Sequence, residues 1–415
     1  MNQISGTDGY QHVSGLKNIF RSLRYRNYRL FFGGQSLSLV GTWIQRIAIP
    51  WLVYDLTGSV FMLGLVSFAA QIPAFVIAPF AGVLTDRWNR YHILIMTQIL
   101  SMLQAFILAA LFYTGVIAIW HIIVLSLMLG CLNAFDVPAR QSFVIEMVER
   151  KEDLGNAIAL NSSMFNSARL LGPSVAGILI ASAGEGICFL INGVSYLFVI
   201  VSLLMMRVRS RTVPPRHQRV FKALQEGFRY TFGFGPIRPI ILLIVLVSLM
   251  GMPYIVLMPV IATQFLHGGS HTFGFLMGSA GVGALTGAIY LASRKDAEGL
   301  EKIIPFSAAL SGTGLIFFSL SRVVWLSMIL MIVIGLGMIT QIASSNTIIQ
   351  TVVDDDKRGR VMSIYAMSLM GTMPIGSFLA GSLASVIGAP TTLLIGGILC
   401  IAGALVFALK HKKAD

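Results

Sequence analysis

Twelve long apolar runs constrain the fold of this chain more than any other feature of its sequence. A helix needs about 20 apolar residues to cross the hydrocarbon core of a bilayer. The runs lie at residues 30–54, 60–84, 91–113, 118–140, 158–182, 187–206, 239–265, 273–293, 302–321, 323–349, 361–386 and 390–409. Backbone polar groups in lipid must be satisfied within each segment. The predicted fold class is therefore an all-α membrane protein with twelve transmembrane helices.

The basic residues lie between alternate apolar runs and so indicate the orientation of the chain. Of 30 Lys and Arg, against 17 Asp and Glu, nearly all fall in the N-terminal segment, in every second connection or at the C-terminus. Cytoplasmic connections retain Lys and Arg. Both termini are therefore expected in the cytoplasm, in a multi-pass protein of a bacterial cytoplasmic membrane. Topology explains the net charge of +13, and no nucleic-acid partner is expected.

One long basic connection, residues 207–238, divides the chain. The expected organisation is a basic N-terminal arm (1–29), a six-helix half (30–206), a cytoplasmic linker (207–238), a second six-helix half (239–409) and a cytoplasmic tail (410–415). In the linker, Val220, Phe221, Leu224 and Phe228 recur at helical spacing, which predicts a helix on the inner leaflet.

An internal repeat supports two pseudo-symmetric halves. Four glycines recur at a fixed offset of 204 residues: Gly155, Gly172, Gly177 and Gly184 reappear as Gly359, Gly376, Gly381 and Gly388. Parallel six-helix halves are a transporter architecture that places the substrate site between the halves, near the bilayer midplane.

Two motifs carry a resemblance to a known family. Between the second and third runs stands "GVLTDRWNR", in which Gly82, Asp86, Arg87 and Arg90 resemble the signature of the major facilitator superfamily. Asn89 replaces the second glycine of that signature, and Asn adopts left-handed backbone more readily than most residues. The fifth run contains "ARLLGPSVAG", which is similar to the antiporter motif of the superfamily through Gly172, Pro173 and Gly177.

Further segments, "DVPARQS", "NAIALNSSMFNSAR" and "RGRVMSIY", are similar to the branch of bacterial enterobactin exporters and macrolide efflux proteins. The resemblance implies the major facilitator fold and a gate on the cytoplasmic side. Asp86 would cap the eleventh span, and Arg87 or Arg90 would pair with Asp136, four residues before Arg140. These contacts would form a latch that holds the halves together in the outward-open state.

Arg46 and Arg169 are the two basic residues inside apolar runs. At 100° per residue one face of the first run carries Gln35, Ser38, Thr42, Gln45 and Arg46, and one face of the fifth carries Asn161, Phe165, Arg169 and Gly172. An arginine at the centre of a membrane helix costs about 2.5 to 3.5 kcal/mol on insertion scales, so it usually faces a cavity or a partner.

Two explanations of these arginines stay open. Backbone carbonyls could satisfy them, which would make them structural, or they could line a cavity for an anion. No acidic residue lies near the middle of any run, and guanidinium groups suit carboxylate, phosphate or catecholate ligands. In the second half Tyr254, Gln341 and Tyr365 are candidate wall residues, although each also fits helix packing.

The sequence therefore predicts a secondary active transporter that works by alternating access and exports a small amphipathic anion such as a siderophore. The alternative is a multidrug or macrolide efflux pump of the same fold. A remote alternative, a lipid-processing membrane enzyme, lacks an H-E-x-x-H or G-x-S-x-G motif, so the chain is expected not to be an enzyme. The expected partners are the substrate, lipid and, if transport is proton-coupled, protons carried by Asp136 or by the substrate. No cofactor or metal is expected, and the chain is expected to be a monomer.

Overall fold

The fold consists of long helices and short connections. The structure is a computed structural model that describes residues 20–207, 220–294, 296 and 298–411; the side chains of residues 78–79, 82–87, 151, 220–224, 355–356 and 411 lie outside this description. The helices are α1 (Arg26–Thr57), α2 (Val60–Arg87), α3 (Arg90–Tyr113), α4 (Ile119–Glu146), α5 (Lys151–Ala183), α6 (Glu185–Leu204), α7 (Val220–Gly233), α8 (Ile237–Phe265), α9 (Ser270–Ala292), α10 (Leu300–Leu320), α11 (Val324–Val352), α12 (Asp355–Met370), α13 (Thr372–Ile387) and α14 (Ala389–His411).

The predicted twelve-helix membrane fold is confirmed. Eleven described segments have the length and apolar composition of a membrane span, with α12 and α13 together forming the eleventh span of the chain. The remaining span is α1, the first of the chain. It has 32 residues, but its hydropathy is lower than that of the other spans because its polar face includes Gln35, Ser38 and Gln45. The predicted runs agree with the helices to within a few residues, with three exceptions. Helix α4 continues to Glu146, α5 begins at Lys151 and α12 begins at Asp355.

The repeat predicted from the glycines is visible in the backbone. Gly184 ends α5 with φ of 76°, and Gly388, its counterpart 204 residues later, ends α13 with φ of 85°. An L side chain rarely adopts such angles, which explains glycine at both turns. Each half therefore ends its fifth span in the same way.

The two halves pack tightly against each other at the predicted outer end. A Cβ atom added to Gly177 of α5 would lie 2.9 Å from the Cα of Gly274 on α9, and one added to Gly64 of α2 would lie 2.9 Å from the Cα of Gly381 on α13. Gly177 and Gly381 are repeat counterparts. Small residues allow helix backbones in a membrane to approach this closely, so the two contacts close this end symmetrically.

The halves are separated at the predicted cytoplasmic end. One stripe of α5, with positions three or four residues apart, faces the second half. Pro173 and Gly177 of this stripe are buried against α9, whereas Ala159 and Ser163, nearer the start of α5, are exposed. The same face thus changes from packed to open along one helix. The conformation is closed at the predicted outer end and open at the predicted cytoplasmic end.

Two segments at the predicted cytoplasmic end lie outside the bundle. The linker forms the helix α7, as its spacing predicts, and α7 packs against α12. Before α1, a short 3₁₀ turn at Arg21–Arg24 packs against α5. Of the apolar residues expected to define the linker helix, Val220, Phe221 and Leu224 have side chains outside the described part.

Candidate functional site

Arg46 lies at the inner limit of the contact between the halves. Its side chain is exposed, although Gln45 and Ile47 on either side are buried. Its guanidinium lies near Tyr196 of α6 and Arg169 of α5, so the group points into the bundle rather than into lipid. Exposure inside the bundle means that Arg46 faces the opening between the halves.

Arg169 is half-buried on α5 and lies near the phenol of Tyr254 on α8. Tyr254 itself is 4% exposed. Among the described side chains, neither Arg46 nor Arg169 forms an ion pair with a carboxylate. The site therefore brings together two guanidinium groups from the first half and a tyrosine from the second, and no described carboxylate serves as their counter-ion.

An aromatic pair supports Arg46, and one of its two members, Trp43, was not among the residues predicted from the sequence. The guanidinium carbon of Arg46 lies 4.7 Å from the centre of the Trp43 ring, and Trp43 meets the exposed ring of Phe165 edge-on at 5.9 Å. Gly172 makes room for Trp43, because a Cβ atom there would come within 2.4 Å of the Trp43 Cβ. The i, i+3 spacing of Trp43 and Arg46 on a helix was the available signal. Phe165 and Gly172, both predicted site residues, thus position the arginine.

Gln45 has a different environment from the adjacent Arg46. Its amide nitrogen donates to Oε1 of Gln104 at 3.0 Å, and its Oε1 accepts from the amide of Asn192 at 2.8 Å. Gln45 is 2% exposed, so these bonds join α1 to α3 and α6 inside the first half. Thr42 also lies within this half, beside Tyr196 of α6.

The remaining predicted wall residues lie mostly inside one half or the other. Gln35 is buried in the first half, and Asn161 is half-buried on α5. Tyr365 donates its hydroxyl proton to the carbonyl of Ile342 at 3.0 Å, which joins α12 to α11. Gln341 is fully buried, and neither of its amide atoms has a partner among the described residues. Of the three candidates in the second half, Tyr254 is the one beside an arginine of the site.

Two described residues of the predicted cytoplasmic gate, Asp136 and Arg90, are paired within the first half. The carboxylate of Asp136 accepts from Thr97 at 3.0 Å and from Gln98 at 2.8 Å, and Nε of Arg140 lies 3.4 Å from its other oxygen. Arg90 pairs instead with Glu146. In this conformation, which is open at the predicted cytoplasmic end, Arg90 does not pair with Asp136, because residues of α3 and α4 hold that carboxylate. The latch was expected in the outward-open state and therefore stays a prediction.

The other predicted latch residues, Gly82, Asp86 and Arg87, have side chains outside the described part of the chain. Gly359, near the helix start that Asp86 was expected to cap, has open space around it. Pro173 and Gly177, the rest of the antiporter-like motif, form the tight contact between α5 and α9. In the described part of the chain, no three His, Cys, Asp or Glu side chains cluster as a metal ion would require.

Comparison with known proteins shows that this chain is similar to membrane transporters. A protein-family model described as "Transmembrane secretion effector" matches residues 18–414. The staphyloferrin A transporter of Staphylococcus aureus is 27% identical over 395 residues, which is 93% of this chain and 96% of the relative. Macrolide efflux protein A of Streptococcus pyogenes is 22% identical, over 94% of this chain and 99% of the relative.

A solved structure shares the fold. It is a bacterial homolog of the human lysosomal transporter Spinster, in an inward-facing and unoccupied conformation. The TM-score is 0.69 at 13% sequence identity, and the match covers 94% of this chain and 97% of that one. At this identity the likeness concerns the fold alone.

Proposed function

Because the chain belongs to the transmembrane secretion effector family of the major facilitator superfamily, we propose that it exports a small amphipathic anion of the siderophore class. The relatives of this chain are transporters and not enzymes, so the membrane-enzyme alternative is set aside. One observation supports an anionic substrate above all: Arg46 and Arg169 line the opening between the halves without a carboxylate partner among the described residues.

Electrostatics favours an anion at this place. Two like charges repel each other, and in a partly desolvated cavity this repulsion is stronger than in water. An anionic substrate relieves the repulsion and accepts up to two parallel hydrogen bonds from each guanidinium. The exposed ring of Phe165 and the ring of Trp43 add an apolar surface beside the charges, which suits an amphipathic molecule. A relative named as a transporter of staphyloferrin A is consistent with this class.

Export is proposed to follow alternating access. The conformation described here is open at the predicted cytoplasmic end, which is where an exporter loads its substrate. The halves would then come into contact at that end, and the glycine contacts at the other end would separate. This change would release the substrate outside. The proposed orientation has both termini in the cytoplasm, and the proposed functional unit is a monomer because one chain builds the cavity.

Proton coupling is proposed to use Asp136 or the substrate itself. Asp136 is 8% exposed and accepts hydrogen bonds from Thr97 and Gln98 while facing Arg140. Protonation would weaken its contact with Arg140 and so affect the gate. The alternative is that the substrate carries the proton, in which case Asp136 has no part in coupling.

A second candidate substrate class comes from the relatives. Macrolide efflux protein A matches nearly the full length of this chain. In that case the arginines would serve the structure, with Arg46 held on the Trp43 ring. A hydrophobic or cationic drug would then occupy the cavity.

Transport in proteoliposomes under an imposed pH gradient distinguishes the two classes. The uptake of a catecholate siderophore is compared with that of a cationic dye for the wild type, Arg46→Gln and Arg169→Gln. We expect the siderophore to be transported and its rate to fall at least about tenfold in both variants, since a charge-assisted hydrogen bond contributes about 1.5 to 3 kcal/mol.

Arg29→Gln is the matched control, because Arg29 is an exposed arginine at the predicted cytoplasmic end of α1, outside the site. Its transport should equal that of the wild type. Equal transport of the dye by the wild type and both site variants, without transport of the siderophore, would favour the drug-efflux function instead.

A further inference from the structure

In each half, the segment that precedes the first span packs against the start of the fifth span. In the first half this segment is the turn at Arg21–Arg24 with Tyr25. The carboxylate of Asp153 on α5 pairs with Arg24, lies 3.2 Å from Nε of Arg21, and accepts from the hydroxyl of Tyr25 at 2.6 Å. The Asp153 side chain is 6% exposed. An internal anion therefore joins the basic turn to α5.

In the second half the corresponding segment is α7, which packs against α12. Oε2 of Glu226 lies 3.0 Å from Arg360, and the ammonium of Lys357 lies 4.9 Å above the centre of the Tyr230 ring. Gly227 lets the helices approach, since a Cβ atom there would lie 3.3 Å from the backbone of Arg360.

The internal repeat relates the residues of these two contacts to one another. At the offset of 205 residues Arg24 and Tyr25 correspond to Arg229 and Tyr230, and at the offset of 204 residues Asp153 corresponds to Lys357. The arginine and the tyrosine are thus present in both halves. At the position of the Asp153 carboxylate, the second half carries the lysine Lys357.

The replacement leaves a cationic cleft in the second half. The cleft has a volume of about 490 Å³ and is lined by Arg229, Lys357, Arg360, Tyr230 and Glu226, together with Gly233 and Phe234. Among the side chains that the structure describes, Glu226 is the one carboxylate lining the cleft, and it already faces Arg360. Lys357 also lies 3.2 Å from Asp354, whose side chain is 66% exposed, and such exposed pairs bind weakly. Arg229 forms no ion pair within the described part of the chain.

We propose that this cleft binds the phosphate group of an anionic phospholipid, which takes the place that the Asp153 carboxylate has in the first half. A lipid source is favoured over soluble phosphate by the surroundings of the cleft. Phe228 of α7 is 52% exposed beside it. A neighbouring cleft of about 320 Å³ combines Arg238 and Lys410 with the apolar Leu242, and basic clusters at the cytoplasmic surface of a membrane attract anionic lipids.

The lipid phosphate would bridge α7, which carries Arg229, to α12, which carries Lys357 and Arg360. The helix α12 is the inner part of the eleventh span, which bends at Gly371. Binding would therefore hold this part of the span against the linker. The proportion of anionic lipid in the membrane would then affect how readily the cytoplasmic end closes.

The test measures phosphatidylglycerol bound to the purified full chain in phosphatidylcholine nanodiscs, by native mass spectrometry and by the thermal unfolding midpoint. We expect phosphatidylglycerol to stay bound and to raise the midpoint. Arg229→Gln and Lys357→Gln should each weaken its binding about fivefold, which corresponds to the loss of one basic residue at an anionic surface. The control Lys302→Gln, an exposed lysine at the same end of the same half, should leave binding unchanged.

Lys357→Asp tests the repeat argument directly, because it restores the carboxylate found in the first half. This variant should lose phosphatidylglycerol binding and yet keep a wild-type midpoint in phosphatidylcholine alone, which also shows that it folds. Equal binding by all variants, or an equal loss in Lys302→Gln, would overturn the proposal. Displacement of the lipid by inorganic phosphate at comparable concentration would overturn the lipid assignment, since the cleft would then serve a soluble phosphate.

Discussion

Gln45 and Arg46 are adjacent in the sequence and occur on the same predicted polar face, yet they lie in different environments. A neutral amide can be satisfied inside a bundle by two other amides, as Gln104 and Asn192 do for Gln45. A guanidinium needs an anion or water to offset its desolvation. Arg46 accordingly stays exposed over the Trp43 ring. The chemistry of each side chain, rather than its angular position, decides whether it is buried.

Gln45→Leu should lower the free energy of unfolding by about 1 to 3 kcal/mol, because it leaves the buried amides of Gln104 and Asn192 without their partner. Reversible unfolding in mixed micelles with increasing denaturing detergent would measure this change. The apparent affinity for the transported anion should change little in the folded fraction. A large loss of affinity with unchanged stability would instead make Gln45 a substrate ligand.

Arg46→Lys keeps the charge and removes the planar fork of donors. If the substrate is a carboxylate or catecholate held by two parallel hydrogen bonds, its affinity should fall about tenfold, and less than in Arg46→Gln, since a lysine binds as a point charge. Concentration-dependent uptake into proteoliposomes gives both values. Wild-type affinity in Arg46→Lys would show that charge alone is recognised.

At the scale of the helices, glycine contacts decide where the halves meet. Gly177 and Gly274 bring α5 and α9 together, and Gly64 and Gly381 do the same for α2 and α13. Further along α5 the same stripe is exposed at Ser163. One helix therefore carries both the closed contact and the open wall of the cavity, and its small residues act where backbones touch.

Gly177→Ala should impede closure of the predicted outer end, because its Cβ would lie 2.7 Å from the carbonyl oxygen of Ser270. Overpacking of this kind typically costs 1 to 3 kcal/mol, so the transport rate should fall about tenfold. Gly155→Ala is the matched control on the same helix, since nothing lies within 4 Å of the added atom. A wild-type transport rate in Gly177→Ala would mean that α5 and α9 can adjust to the added methyl group without a loss of free energy.

At the scale of the whole molecule, the two halves form one bundle that is closed at one end and open at the other. The outer closure includes an aromatic stack of Trp51 on Phe273, 5.9 Å apart, which joins α1 to α9 across the halves. The separated end carries most of the basic residues. The proposed direction of export depends on that end facing the cytoplasm.

Labelling of introduced cysteines with a membrane-impermeable maleimide tests this orientation. Thr114→Cys, in the exposed connection after α3, should react in intact cells. Glu298→Cys, in the exposed connection before α10, should react only after the cells are permeabilised. The wild type is the background control, because Cys188 and Cys400 are buried and Cys131 is half-buried. Reversed labelling would invert the proposed orientation and the direction of transport.

The sequence by itself determined the spans, the repeat and the family, because each depends on local or periodic information. Transfer of an apolar segment into lipid depends on that segment alone, so the helix bounds were predicted to within a few residues. Only the helix ends that project beyond the apolar runs, such as Ile119–Glu146, were underestimated. The two membrane arginines were also identifiable, since an uncompensated charge in an apolar run is conspicuous.

The tertiary structure alone decided the partners of the polar residues and the state of the gate. Asn192 meets Gln45 across 147 residues of sequence, and Asp136 is held by Thr97 and Gln98 rather than by Arg90. Such contacts depend on which helix faces which, and neither composition nor periodicity encodes this. The open and closed ends likewise depend on the packing between halves, because one sequence can form either set of contacts.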